Sequence, residues 1–367
     1  MVAIFLLIKI VLLVVGIFSQ LIPIELTHRQ IRSDSLFLNP WMQSDAGAYL
    51  DIAKNGYNPN FNEGMGNYAW YPLYPLMIKA IGFLGYDIAA FLISNIFSFL
   101  AVTMLYLLVK KEMNGKMAYK TVFYLLLFPT AYFFTAAYTE SLFLFLSLAC
   151  FWFAQEGKYM HSGIAGFFAS LTRSQGVILL LPILYIYLRE KKFRISPNVL
   201  FILLIPLGIL TIMAYHYFSI GDAFMMFKAQ QGFARELALP WVAFINTFYM
   251  GITSKTFGGT IYYFFDIAVA AAFIALSLLS LRHIKKEYGI YSVLSLILPI
   301  STSLLFGIPR FVLVLFPAFM MVAKLSEGKY KMHINLIYTV FIVLFILFTV
   351  RHGNEDLYIN TFNLNPK

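Results

Sequence analysis

The sequence predicts an all-α integral membrane protein, with about eleven transmembrane helices and a long first extracytoplasmic loop that carries short interfacial helices. Three observations predict it. Of the 367 residues 60% are apolar and only 12% charged, against about 45 to 50% and about 25% in typical soluble domains. Polar residues are then too few to coat a globule, and most apolar side chains must face lipid. Apolar runs of spanning length recur along the chain, and Lys and Arg gather in the loops of one face. A soluble enzyme is ruled out. The single cysteine, Cys150, lies in an apolar run, which excludes a disulfide framework and a Cys-rich metal site.

A hydrocarbon core of roughly 30 Å takes about 20 helical residues to span. The candidate crossings are Val2 to Ile22, Ile88 to Val109, Thr121 to Ala137, Ser141 to Ala154, Ser162 to Leu171 and Gly176 to Leu188. Val199 to Phe218, Ile261 to Leu281, Ile290 to Phe306, Phe311 to Ala323 and Ile334 to Val350 complete the set. The pieces at Ser162 and Gly176 are short, and read as half-helices or one broken hairpin, since irregular backbone survives at membrane depth only where protein or a wet cavity satisfies it. The first segment has no small-residue cleavage site and carries Lys9 in its middle, so it reads as a retained helix.

Orientation follows from charge. The loops at 110–120, 155–161, 189–196, 282–289 and 324–333 hold 15 of the 27 Lys and Arg but 5 of the 17 Asp and Glu, a net +10. The remaining 12 basic and 12 acidic residues cancel. The positive-inside rule makes the charged face cytoplasmic. The net charge of +10 thus follows topology, and no nucleic-acid partner is expected. The chain is one polytopic domain, 1–367, whose two long connections, 23–87 and 219–260, both fall on the outer face. Long ordered loops are usually functional, so function is sought there.

In the first loop Ala46, Tyr49, Leu50 and Ala53 recur at helical spacing before Asn55-Gly56, which predicts a short interfacial helix with Ser44 as N-cap. Asp45 in its first turn either complements the helix dipole or serves as a base. Asp51, six residues on, projects about 120° away from Asp45 on a regular helix, which disfavours a paired-carboxylate glycosidase. From Tyr68 to Pro75 two prolines three apart, Pro72 and Pro75, argue against a regular helix, and four aromatics cluster, Tyr71 and Tyr74 among them. They read as an interfacial belt or as a rigid cavity wall able to stack on sugar rings.

Glu140, Arg173 and Arg310 lie close to helix ends on the same outer face. Each alone suits an interfacial anchor. Together with Asp45 they are two Arg and two carboxylates arriving from four hairpins, and ionisable groups beside membrane segments tend to line a cavity or pair. Arg suits a phosphate. The second loop adds His216, Asp222, Lys228, Gln230, Gln231, Arg235 and Trp241. Metal-binding spellings such as Asp-x-Asp or His-Glu-x-x-His are absent, so no cofactor is expected. The Gly-x-Gly-x-x-Ala spelling at Gly64 follows a polar run and no strand, which excludes a dinucleotide fold.

Read in order, Asp45-Ala46-x-x-Tyr49-Leu50-x-Ile52-Ala53-x-x-Gly56-Tyr57, Tyr71-Pro72-Leu73-Tyr74-Pro75 and Tyr138-Thr139-Glu140-Ser141-Leu142 begin a pattern. Leu171-Thr172-Arg173-Ser174-x-Gly176, Gly221-Asp222 with Lys228-Ala229-Gln230, and Pro309-Arg310-Phe311 continue it. The pattern resembles the GPI mannosyltransferase family, PIG-V type, the second mannosyltransferase of GPI-anchor assembly, with its shorter prokaryotic relatives. Two positions depart from it: Ser44 stands where a Trp commonly precedes the Asp, and Ala48 replaces a polar or aromatic residue. The resemblance implies a GT-C membrane glycosyltransferase in the cell membrane. Such an enzyme passes a sugar, here mannose, from a polyprenyl phosphate to a hydroxyl of a lipid-linked or glycan acceptor on the extracytoplasmic side, with inversion. It implies Asp45 as general base, Arg173 and Arg310 on the departing phosphate, and Glu140 holding an arginine or a sugar hydroxyl. Membrane lipids are expected partners. The rival readings are a lipid or solute transporter, for which paired repeats are lacking, and a structural membrane subunit assisting another transferase.

Overall fold

The computed structural model describes residues 1–23, 27–61, 66–231, 236–255 and 257–355; the described chain is helical, with one isolated bridge between Leu237 and Thr302. The first part comprises α1 (Val2–Ser19), the loop helices α2 (Ala46–Asn55) and α3 (Leu73–Ala80), then α4 (Tyr86–Glu112), α5 (Gly115–Leu126) and α6 (Glu140–Gln155). The middle holds α7 (Tyr159–Ser170), α8 (Leu180–Glu190), α9 (Val199–Ile202), α10 (Leu204–Ile220) and α11 (Met225–Lys228). The last part holds α12 (Pro240–Thr253), α13 (Phe257–His283), α14 (Lys286–Ile300), α15 (Ile308–Phe311), α16 (Phe316–Leu325) and α17 (Lys331–Gly353).

By length and composition four described helices, α1, α4, α13 and α17, are able to cross a membrane, and α15 with α16 makes a fifth if that bent pair is one span. Their apolar side chains point both ways. On α1, Leu7 and Ile10 face outward while Ile8 and Leu12 are buried, the distribution of a helix with lipid on one side and protein on the other.

Several predicted crossings are not single helices, and proline stands within three residues of most of the breaks. The segment from Thr121 to Ala137 ends as a helix at Leu126, before Pro129, and resumes as a 3-10 turn at Ala131–Phe134. Val199 to Phe218 splits into α9 and α10, because Pro206 removes the N–H that would reach Ile202. Phe311 to Ala323 bends by 84° ahead of Pro317. Gly176 to Leu188 starts as a 3-10 helix, Ser174–Leu179, before α8. Ile290 to Phe306 stops as a helix at Ile300, one residue past Pro299. Hydropathy reads apolar content; it does not register a missing donor.

Broken backbone at depth needs partners, and Lys9 supplies one. Its ammonium donates to Phe134 O at 2.9 Å, Thr135 Oγ1 at 2.7 Å and Asn95 Oδ1 at 2.8 Å, which uses all three of its protons. Elsewhere close packing replaces hydrogen bonding: α7 meets the α9–α10 unit backbone to backbone, and a Cβ at Gly163 would lie 1.9 Å from Phe201 O.

The two ends of the bundle differ. At about 1.5 Å per residue, the 27 residues of α4 reach roughly 40 Å. Its Tyr86 end meets the first loop, where Ser33 Oγ donates to Asp87 Oδ2 at 2.6 Å. Its other end meets the basic loops: Lys285 pairs with Glu112, Lys111 with Glu156, Lys116 and Lys120 with Glu327, and Arg189 with Glu287. The five basic loops therefore share one end, as the charge count predicts, and the long loops occupy the other.

Candidate active site

At the loop end four charged side chains from four parts of the chain form one continuous chain of contacts. Arg310 Nη1 donates to Asp45 Oδ2, and Arg310 Nε donates to Glu140 Oε1. Arg173 Nη1 donates to the same Glu140 oxygen at 2.5 Å, and to Thr139 Oγ1 at 3.3 Å. The charges alternate along the series Asp45, Arg310, Glu140, Arg173, so the set is neutral. Glu140 is fully buried, and its second oxygen, Oε2, has no hydrogen-bond partner among the described residues. Buried charge is tolerable only when paired and hydrogen-bonded, and both guanidinium groups supply that pairing through Glu140 Oε1.

Local structure places each member. Asp45 occupies the N-cap position of α2, with no side-chain cap bond; Ser44, the expected cap, instead sits one residue earlier at φ 55° and leaves the cap role to its neighbour. Its side chain is thereby free to reach Arg310. Glu140 is the first residue of α6, where the positive end of the helix dipole favours a carboxylate. Arg173 is extended at the junction of α7 and the following 3-10 helix. Arg310 lies on the single turn of α15, which Gly307 starts from a left-handed conformation at φ 73° and Pro309 pre-shapes. Thr130 Oγ1 fixes that turn through Pro309 O at 2.7 Å. Aromatic faces cover the cations: Arg310 lies 4.5 Å from the Tyr138 ring centroid, and Arg173 lies 5.3 Å from that of Phe311.

A cavity of about 840 Å³ opens against this chain, lined by Asp45, Arg173 and Arg310 together with Tyr49, Trp70, Tyr71 and Lys228 among others. Burial pushes the Tyr49 phenol up to about 12 and raises that of Tyr71 as well, so both stay protonated donors. Asp51 points elsewhere, accepting from Asn55 Nδ2 at 2.7 Å and Asn67 Nδ2 at 2.8 Å, in line with the predicted divergence.

Among solved structures, this chain is similar to the crystal structure of ArnT from Cupriavidus metallidurans bound to undecaprenyl phosphate, with a TM-score of 0.52 and 12% identity over 97% of this chain and 75% of that one. The two share a fold. No family model and no curated protein matches the sequence. The chain is accordingly an all-α, multi-pass membrane protein with the GT-C fold, and the ArnT-like architecture is the frame in which the cavity lies.

Not every predicted site residue lines that cavity. Tyr74 is buried behind it, its hydroxyl on Ala90 O at 2.9 Å and Ser94 Oγ at 2.7 Å, because α3 turns it toward α4. His216 packs edge-on against the stacked rings of Tyr57 and Tyr68, at 5.0 and 5.6 Å, with neither ring nitrogen bonded among the described residues. Asp222 stays outside and pairs with Lys228 at 2.6 Å; Lys228 holds its carboxyl below the usual range. Trp241 is exposed away from the cavity, whereas Gln230 and Gln231 line it. Arg235 lies outside the described residues, as do Gly64 and Met65.

Sequence reasoning passed over Gln30, Arg32 and Glu355, which line the same cavity. Arg32 Nη1 donates to Met42 O at 2.9 Å, and Glu355 Oε1 accepts from Ser44 N at 3.1 Å. Nothing in local spacing marks them: Arg32 acts on a backbone carbonyl ten residues on, and Glu355 on an amide 311 residues back. Among the described residues no group of three or more His, Cys, Asp and Glu comes together.

Proposed function

We propose that this chain is a membrane glycosyltransferase that moves a sugar, mannose in the first instance, from a polyprenyl phosphate to a hydroxyl of a lipid-linked or glycan acceptor on the extracytoplasmic face. The observation that carries the reading is the Asp45–Arg310–Glu140–Arg173 chain set in the wall of the cavity. The shared fold with ArnT, whose structure holds undecaprenyl phosphate, supports the choice of a polyprenyl phosphate.

In this reading the Asp45 oxygen that Arg310 does not hold takes the acceptor proton while the acceptor oxygen attacks the anomeric carbon. The bond from that carbon to the phosphate oxygen breaks, and its electron pair leaves on the lipid phosphate. Attack opposite the leaving group inverts the centre. Charge grows on the phosphate in the transition state, where fixed donors count most. Arg173 and Lys228, both on the cavity wall, are the groups assigned to it. Arg310 receives a different role from the one the resemblance implies: with Nη1 on Asp45 and Nε on Glu140 it holds the base.

The test is direct. Purified protein in vesicles is incubated with labelled polyprenyl-phosphate mannose and with other polyprenyl-phosphate sugars, in the presence of membrane lipids, and products are identified by mass spectrometry. A glycosylated lipid or glycan with an inverted anomeric centre supports the proposal. Movement of the carrier across the bilayer with no product would replace it by a transporter. Because Asp45 and Glu140 are both committed to Arg310, transfer is expected to continue in excess EDTA; loss on chelation with rescue by Mn²⁺ would overturn that part.

A further inference from the structure

Three consecutive residues before Asp45 are each gripped from a different direction. Met42 O accepts from Arg32 Nη1 at 2.9 Å, Gln43 O accepts from the Tyr138 hydroxyl at 3.1 Å, and Ser44 N donates to Glu355 Oε1 at 3.1 Å. The last contact is the unusual one. Ser44 is a non-glycine residue at φ 55°, a left-handed conformation that crowds an L side chain and persists only where surroundings over-determine it. That strained residue immediately precedes the Asp45 that begins α2.

Glu355 comes from the other end of the chain. It follows α17 and is carried to the loop by a run of contacts: Gln20 Nε2 donates to Gly353 O at 3.0 Å, His28 N to Asn354 O at 3.1 Å, and Arg29 Nη1 to Asn354 Oδ1 at 3.3 Å. Arg32 Nη2 lies 3.5 Å from the Glu355 oxygen that takes the Ser44 N–H. A carboxylate in this place makes a charge-assisted bond to a backbone donor, stronger than a neutral one, and it does so where the backbone needs most to be held.

We propose that Glu355 is a positioning residue for Asp45. Its carboxylate holds the Ser44 amide in the left-handed conformation, and so aims the Asp45 side chain at Arg310 and the cavity. The inference rests on the reading of Asp45 as base, and goes beyond it by tying the last helix to the chemistry.

The experiment is a double-mutant cycle between Glu355→Ala and Ser44→Gly, with transfer kinetics and melting temperature measured for each protein. Glycine adopts positive φ without crowding, so it removes the need for the grip. Glu355→Ala is expected to lower kcat about tenfold to a hundredfold, the scale of a small misplacement of a reacting group, with KM for the donor unchanged. In the Ser44→Gly background the same substitution is expected to cost under about threefold, because the strain is gone. Glu355→Gln, which keeps an oxygen acceptor for the amide, is expected to lose less than Glu355→Ala. If Glu355→Ala does not fold, the comparison of Glu355→Gln in the two backgrounds carries the test, and an equal loss in both overturns the proposal. A raised acceptor KM, unchanged kcat and no relief by glycine would overturn it too, and would make Glu355 an acceptor ligand. Asp45→Asn, measured alongside, separates the two ideas. If it is active the reading of the base fails; if it is inactive while Glu355→Ala is fully active, only the positioning role fails.

Discussion

Both ends of the bundle are rich in Arg, Lys and carboxylates, yet they use them differently. At the basic end one partner of every pair stays at the water: Lys116, 68% exposed, reaches Glu327, itself a third exposed, and Arg189, about half exposed, covers a buried Glu287. At the cavity end Arg173 and Arg310 converge on one oxygen of Glu140, whose side chain is wholly buried. Exposed pairs are worth about 0 to 1 kcal/mol and fade with salt. A buried pair is different in kind, since removing one partner strands the other and costs roughly 3–5 kcal/mol. The comparison teaches that at the basic end the cation keeps its water even where its carboxylate is buried, as in Arg189–Glu287, whereas at the cavity end Arg173, Arg310 and Glu140 are all held in place against their own desolvation.

The largest expected effect tests whether that held charge is chemical. Asp45→Asn preserves shape and one oxygen for Arg310 but removes the base, so transfer is expected to fall by about 10²-fold or more. Donor binding, followed by protection of the protein against thermal unfolding, should change little. Transfer at the wild-type rate would reduce Asp45 to a structural partner of Arg310, and the difference between the two ends would then be one of burial alone.

Next comes the shared carboxylate. Glu140→Gln leaves two buried guanidinium groups facing a neutral amide, and a loss of stability of roughly 3–5 kcal/mol is expected, read as a lowered melting temperature in detergent. If instead Glu140→Gln melted with the wild type, the series of contacts would contribute nothing to holding the cavity wall.

Arg173→Lys is gentler. It keeps the charge and loses the planar fork, so kcat/KM for the donor is expected to fall about tenfold, as for loss of one geometry-dependent bond. Donor titration of the two proteins decides it: matching constants would remove Arg173 from the phosphate and leave it as a support for Glu140.

How much of this was legible beforehand depends on what each residue answers to. The four charges could be picked out because ionisable groups beside membrane helices are costly wherever they occur, so their presence near four helix ends on one face already implied a meeting place. The segregation of Lys and Arg was legible for the same reason. The helix breaks were only half legible: Pro129, Pro206 and Pro317 stand in plain view, but apolar content outweighed the missing N–H in marking crossings. Ser44 and Glu355 were hidden. A left-handed serine has no spelling, and a grip between residues 44 and 355 is set by how α17 packs on α1, which no local pattern encodes. His216 invites a functional reading from its place at a helix end and Tyr74 from its aromatic cluster, whereas in the structure both rings serve as packing.

The smallest expected effect sharpens the comparison from the other side. Glu327 accepts from both Lys116 and Lys120, and those two ammonium groups bring its carboxyl down to about 2. A carboxylate with a lowered folded-state pKa adds stability that is fully present above its unfolded value, about 4.3, and is lost as pH falls through the folded value. Whatever Glu327 contributes is therefore constant from neutral pH to about pH 5 and fades toward about pH 2. Exposure and salt keep that contribution small, so Glu327→Gln is expected to lower the melting temperature by less than about 2 °C at pH 7, and by less still in high salt. Transfer should stay within about twofold of wild type, since the pair sits at the far end of helices roughly 40 Å long. A drop in melting temperature as large as that of Glu140→Gln would erase the distinction between the ends, and would mean that the linked basic loops hold the bundle as firmly as the buried chain beside the cavity.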